Sequence, residues 1–205
     1  VFHLDPAKVT TVYPAVSQDY AKPRPRPQIA GDRPFFLFCS VPDPHKNPEV
    51  VIRAVAQAGW DANLVMVSPK DSVFVPPLVE LSKELGIEDR VIWTGFVEEG
   101  DLIGLFQHAL AVISPSQMEG FGLPVGQAMR AGTKVITSNF SAQGEIARNC
   151  GLLVDPNSVN EVAAAINSAM AGGISDEMIQ AGKRDAQQFD AEVVTRKLIE
   201  VYRSV

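Results

Sequence analysis

Cysteine is nearly absent from this 205-residue sequence, and Cys39 and Cys150 cannot build a disulfide framework, so a reducing, cytoplasmic setting is expected. Histidine is equally scarce. His3, His45 and His108 stand apart from each other and from the cysteines, so no zinc-type spacing exists and neither a metal nor a cofactor is expected. Positive charge is in deficit: 18 Lys and Arg against 24 Asp and Glu give a net charge of -6, which argues against a nucleic-acid partner. No apolar run approaches the roughly 18 residues that cross a bilayer. The opening residues also lack the basic start and apolar centre of a signal peptide. Gly-x-Ser-x-Gly and Walker-type strings are missing, which removes the hydrolase elbow and the P-loop. The first residue is not Met, so a processed chain or a piece of a longer protein is expected.

What is present is a 46% hydrophobic fraction, enough for one sizeable core. From residue 35 onward, strand-like and helix-like segments alternate. "FFLFCSV" (35–41), "NLVMV" (63–67), "RVIW" (90–93), "LAVIS" (110–114), "KVITS" (134–138) and "GLLV" (151–154) are apolar runs of buried-strand type. Between them lie amphipathic stretches. In "NPEVVIRAVAQAG", Asn47 is expected to cap a helix, Pro48 to start it and Gly59 to stop it. A second helix is expected from about Pro77 to Leu85. Leu102, Leu105, Phe106 and Ala109 make a helical face, as do Val125, Ala128 and Met129, and again Val159, Val162, Ala163, Ile166 and Met170. Two more helical segments are expected near 175–187 and 190–203. The alternation predicts a doubly wound, Rossmann-like α/β domain over 34–205 with a parallel sheet covered on both faces. Ligands in such sheets sit beyond the carboxyl ends of the strands, which singles out the loops after 35–41, 110–114 and 134–138. Residues 1–33, with "AKPRPRPQIAGDRP", read as an extended interdomain or linker segment.

The stretch "EGFGLPVGQAM" (119–129) concentrates the chemistry. Gly120 and Gly122 let backbone approach a ligand closely, and Pro124 opens a helix whose N-terminus aims free N–H groups outward. By local chemistry this is equally a phosphate cradle or a turn ahead of a core helix. Lys46, in "PDPHKNPEV", is either a phosphate-neutralising point charge or a solvated lysine placed against a helix dipole. His45 beside it is a second donor or plain surface. Glu119 is unfavourable near phosphate unless it accepts hydrogen bonds from hydroxyls, and sugar hydroxyls meet that need.

These residues lie in "SPSQMEGFGLPVGQAMRAGTKVITSNFSAQGEIARNCGLLVDPNSVNEVAAAI", which resembles the nucleotide-sugar-binding domain of retaining GT-B glycosyltransferases of family four. "VTTVYPAV", "DPHKNPEVVIRAVAQAG" and "VIWTGFVEEGDLIGLFQHA" are similar to flanking segments of that family in the same order, so nearly the whole chain is covered. The resemblance implies the C-terminal half of a GT-B fold, acting on a nucleoside diphosphate sugar without a metal and with retention of anomeric configuration. It implies Lys46 on the donor diphosphate and Glu119 on the sugar hydroxyls. Backbone N–H groups of Gly120, Phe121, Gly122 and Leu123 would hold sugar and phosphate. "VYPAV" and "DPHKN" lean toward members that take mannose from GDP-mannose.

The pattern departs from the family at three places. Gln127 stands where a ribose-binding Glu is expected, and loses the charge-assisted part of that contact, roughly 1 kcal/mol or more. Ser40 and Val41 stand where the family often has Gly and Arg, and His45 stands where many members have Arg. The resemblance also implies a partner absent from this chain, an N-terminal acceptor-binding domain, through which any membrane contact would be made. Alone, the chain is expected to bind a donor and to transfer sugar slowly or not at all. Rival readings are a non-catalytic nucleotide-binding module and another nucleotide-sugar enzyme such as an epimerase.

Overall fold

A computed structural model describes Asp5 and residues 8–204; His3 lies outside the described residues. Among them, β1 (Phe35–Cys39), β2 (Asn63–Val67), β3 (Val91–Trp93), β4 (Val112–Ser114), β5 (Val135–Ser138) and β6 (Gly151–Val154) form one sheet. Its order is β3-β2-β1-β4-β5-β6 and every neighbouring pair is parallel. Between the strands lie α1 (Pro48–Ala58), α2 (Val75–Glu84), α3 (Glu99–His108), α4 (Leu123–Ala131) and α5 (Ser141–Ile146), and after β6 come α6 (Val159–Met170), α7 (Asp176–Asp185) and α8 (Ala191–Arg203). The chain leaves β1 toward β2 on one side and returns with β4 on the other. That reversal opens a crevice above the carboxyl ends of β1 and β4.

Alternation along β1 decides which face each side chain serves. Phe36 and Phe38 enter a core with Val51, Ile52, Leu64 and Ile166, beneath α1 and α6. Phe35 and Leu37 enter the opposite core with Leu105, Phe106, Val125 and Phe189. Both faces are therefore covered, and continuous apolar runs are what such strands require.

Several boundaries move from the sequence reading. The strand after α3 starts at Val112 rather than Leu110, although the Leu110 N–H still donates to the Phe35 carbonyl at 2.7 Å. Arg90 belongs to a short 3-10 turn before β3, and β1 stops at Cys39. Helix α2 begins at Val75, with Pro76 and Pro77 in a first turn that has no use for their missing N–H groups. Asn47 occupies the cap position of α1, but its side chain makes no capping bond. Its Nδ2 donates instead to the carbonyls of Pro115 and Pro156, both at 2.9 Å, and its backbone takes φ 55°. The buried amide thus ties together the loops after β1, β4 and β6.

Residues 8–33 run as an extended strap over the α3 and α4 side. Val16, Tyr20 and Ala30 are buried, and the Tyr20 ring meets Phe106 edge-on at 5.3 Å. Gln107 accepts from the Arg24 N–H at 2.9 Å and donates to the Tyr20 and Lys22 carbonyls. His108 donates through Nε2 to the Arg24 carbonyl at 2.9 Å. The Arg26 guanidinium lies 4.9 Å from the Phe35 ring centroid, a cation–π contact. No helix among the described residues is long and apolar enough to cross a membrane.

Candidate functional site

The crevice at the sheet reversal collects two loops far apart in sequence. The 3-10 turn Pro44–Lys46 follows β1, and the stretch 115–122 follows β4. Backbone fastens them: the Gln117 N–H donates to the His45 carbonyl at 2.8 Å. Above that bond, Lys46 Nζ forms an ion pair with Glu119 Oε1, each side chain less than one-fifth exposed. Ser116 Oγ donates to the same carboxylate oxygen at 3.1 Å, and the Glu119 N–H donates to Ser141 Oγ at 3.2 Å.

After Glu119 the chain turns sharply into α4. Gly122 caps the helix with φ 89°, a left-handed conformation that disfavours a side chain. The space beside it is also taken, since a Cβ there would lie 2.7 Å from Cγ of Gln143. The carbonyl of Gly122 accepts from Val125 and Gly126, while Pro124 has no N–H. The N–H groups of Gly120, Phe121, Gly122 and Leu123 find no acceptor among the described residues. Four consecutive donors at a helix N-terminus, beside a lysine, form a concentrated anion-accepting surface.

The remaining sequence candidates distribute around this centre. Phe121 directs its ring into the core and leaves only its backbone to the site. Leu123 is half exposed. Gln127 lies one turn further along α4, half-buried, with no hydrogen bond to its amide among the described residues. The His45 imidazole is exposed, and only its carbonyl is engaged. Ser40 does not meet the ion pair. Its N–H donates to the Val67 carbonyl at 3.2 Å and its carbonyl accepts from Ser68 Oγ at 2.6 Å. It lines a cavity of about 720 Å³ at the carboxyl ends of β1, β2 and β3, with Cys39, Val67, Thr94, Gly95 and Phe96. Burial pushes the Cys39 thiol up to about 12, which favours its protonated form near pH 7. Among the described residues, no group of three or more His, Cys, Asp or Glu side chains is placed to hold a metal ion.

Three side chains of the site carried no signal in the sequence reading. Ser116 and Ser141 are bonded to Glu119, and Gln143 packs under Gly122 with Nε2 donating to Ser114 Oγ at 2.9 Å. The loop after β5 was singled out by topology, yet nothing in "SNFSAQG" distinguishes the serine that takes φ 55° or the glutamine that is fully buried.

A parallel sheet in this order, with an anion-accepting loop and an acid–lysine pair at its reversal, is a Rossmann-like arrangement, the kind of half from which GT-B glycosyltransferases are built. The chain belongs to the family described as Glycosyl transferases group 1, matched over residues 19–185. It is 32% identical over 216 residues to a D-inositol 3-phosphate glycosyltransferase of Mycobacterium ulcerans (strain Agy99), covering 99% of this chain and 47% of that protein. It is 29% identical over 226 residues to O-antigen chain mannosyltransferase B of Escherichia coli, covering 99% of this chain and 56% of that protein. The crystal structure of Anabaena Alr3699/HepE in complex with UDP-glucose has the same fold, with a TM-score of 0.82 at 21% identity over 95% of this chain and 57% of that one. The chain spans about half the length of the curated relatives it matches.

Proposed function

We propose that this domain binds the donor of a sugar transfer, a nucleoside diphosphate sugar, in the crevice between β1 and β4. The observation that carries the reading is the row of four N–H groups from Gly120 to Leu123, without an acceptor among the described residues and set beside Lys46. The diphosphate lies across those donors and draws the Lys46 ammonium away from Glu119. The released carboxylate then accepts from hydroxyls of the sugar, the one ligand part that offers donors to an anion. The nucleoside takes the cavity lined by Ser40, which adjoins the loop leading to Lys46.

In this mechanism the bond from the anomeric carbon to the diphosphate oxygen breaks as the acceptor oxygen bonds to that carbon. The acceptor's proton passes to the departing nucleoside diphosphate, and negative charge grows on that group until the proton arrives. Lys46 and the helix N–H groups are placed where that charge appears, and fixed donors there stabilise the transition state more than the ground state. They supply the positive charge that a metal would otherwise provide. The acceptor is held by a further part of the protein, configuration at the anomeric carbon is retained, and this chain alone transfers sugar weakly or not at all. GDP-mannose is the donor to test first, since the relatives include a mannosyltransferase; the HepE complex supports the wider class of nucleoside diphosphate hexoses.

Calorimetric titration with GDP, UDP, ADP and their sugars tests the reading directly. One base should bind, and Lys46→Ala should weaken its diphosphate by at least about tenfold while leaving the bare nucleoside nearly unchanged. Binding of none of these ligands removes the donor site, and an equal loss for nucleoside and diphosphate removes the phosphate role of Lys46.

A further inference from the structure

We infer that Tyr13, on the strap, is a positioning residue for the glycine loop: it fixes the donor-binding N–H groups from behind without touching a ligand. The inference rests on the donor-binding reading of that loop. Gly120 and Gly122 leave the loop with little backbone restraint, so Phe121 between them is its side-chain anchor. The Phe121 ring is 5% exposed and sits edge-on to Phe189 at 4.9 Å. Tyr13 completes the cluster, 5.9 Å from Phe121 and 5.4 Å from Phe189.

The hydroxyl of Tyr13 reaches a second support. It donates to Glu145 Oε1 on α5, the helix whose Ser141 accepts from the Glu119 N–H and whose Gln143 fills the space beside Gly122. One side chain therefore braces the loop twice, through the Phe121 ring and through α5. The rest of the strap keeps it there. The Val16 N–H donates to the Phe189 carbonyl at 2.9 Å, and Val16 packs so tightly on Gly126 that a Cβ there would lie 3.0 Å from it. Four segments meet at this point: strap, glycine loop, α5 and the turn after α7. Of these, the glycine loop is the one whose row of N–H groups lies beside Lys46.

The test compares Tyr13→Phe, which keeps the ring, with Tyr13→Ala and Tyr13→Leu, which lose it. Tyr20→Leu, a strap residue whose ring packs on Phe106 and has no ring contact with Phe121 or Phe189 among the described residues, controls for general loss of stability. Without ligand, backbone amide order parameters of Gly120, Phe121 and Gly122 should fall from about 0.85 to below about 0.6 in the ring-less variants. Tyr13→Phe and Tyr20→Leu should stay near the parent. With the nucleoside diphosphate that the parent binds, Tyr13→Ala or Tyr13→Leu should raise Kd by about tenfold, and Tyr13→Phe should restore it to within about threefold. Unchanged order parameters in the ring-less variants overturn the inference, as does a Tyr20→Leu variant that loosens the loop equally. A loosened loop in a protein that binds no nucleotide leaves Tyr13 as the brace and removes the donor reading instead.

Discussion

A carboxamide and a carboxylate share a shape and differ by one charge, which makes Gln127 a clean probe of the proposed donor site. Its amide is half-buried on α4 with no partner among the described residues, one turn beyond the loop that presents the N–H row. With a ribose there, Gln127→Glu converts a neutral acceptor into a charged one and should tighten nucleoside diphosphate binding by about fivefold, the equivalent of roughly 1 kcal/mol. Calorimetry on parent and variant measures this. An unchanged Kd places residue 127 outside the ribose contact. The pairing of Lys46 with Glu119 has a different status, because the two were assigned separate roles from sequence and meet each other in the structure. Both assignments require the pair to open when a ligand arrives.

At the scale of elements, the start of α1 shows how a local rule can give the right boundary for the wrong reason. Asn before Pro at a helix start reads as a cap, and the helix does begin at Pro48, but the amide is spent on Pro115 and Pro156. Asn47→Ala should therefore cost more than a lost cap. It removes two buried bonds and leaves alanine at φ 55°, about 2–4 kcal/mol together, measurable as a lower urea midpoint. A loss below about 1 kcal/mol, typical of a cap alone, would contradict the bridging role. The strands were legible because burial on both faces forces unbroken apolar runs such as "FFLFC" and "NLVMV". The helices were legible because α1 and α6 bury a single stripe. The partners of Asn47 lie 68 and 109 residues away, and no window of sequence contains them. Lys46, Glu119 and the glycines were legible for their chemistry and spacing. Ser141 and Gln143 were not, since a serine in a left-handed conformation and a buried glutamine are set by what packs on them.

For the whole molecule, the strap of residues 8–33 lies against α3 and α4. Gly104 on α3 marks the contact, since a Cβ there would lie 2.6 Å from the Pro25 carbonyl oxygen and 2.9 Å from the Pro27 ring. In an isolated helix, Gly→Ala stabilises by about 1 kcal/mol. Here Gly104→Ala should destabilise by about 1–3 kcal/mol, because backbone cannot yield as a side-chain tip would. The melting temperature reports the sign, and a rise would show that the strap does not lie on α3. The family match begins at residue 19, within this strap, so the segment that reads as a linker carries part of the family's sequence.

The order of the strands also has a consequence in time. Lys46 and Glu119 are 73 residues apart, and they meet only when β4 has docked beside β1. A ribosome must release everything from β1 through the loop after β4 before the crevice can exist, and closing so long a loop is among the slower steps of assembling such a sheet. Nascent chains that hold β1, α1 and β2 already have a strand pair and a helix to cover it, but not the pairing of Lys46 with Glu119. The crevice is thus a product of β4 docking beside β1, and in the proposed reading a diphosphate held at Lys46 and the glycine loop cannot guide the earlier pairing of β1 with β2.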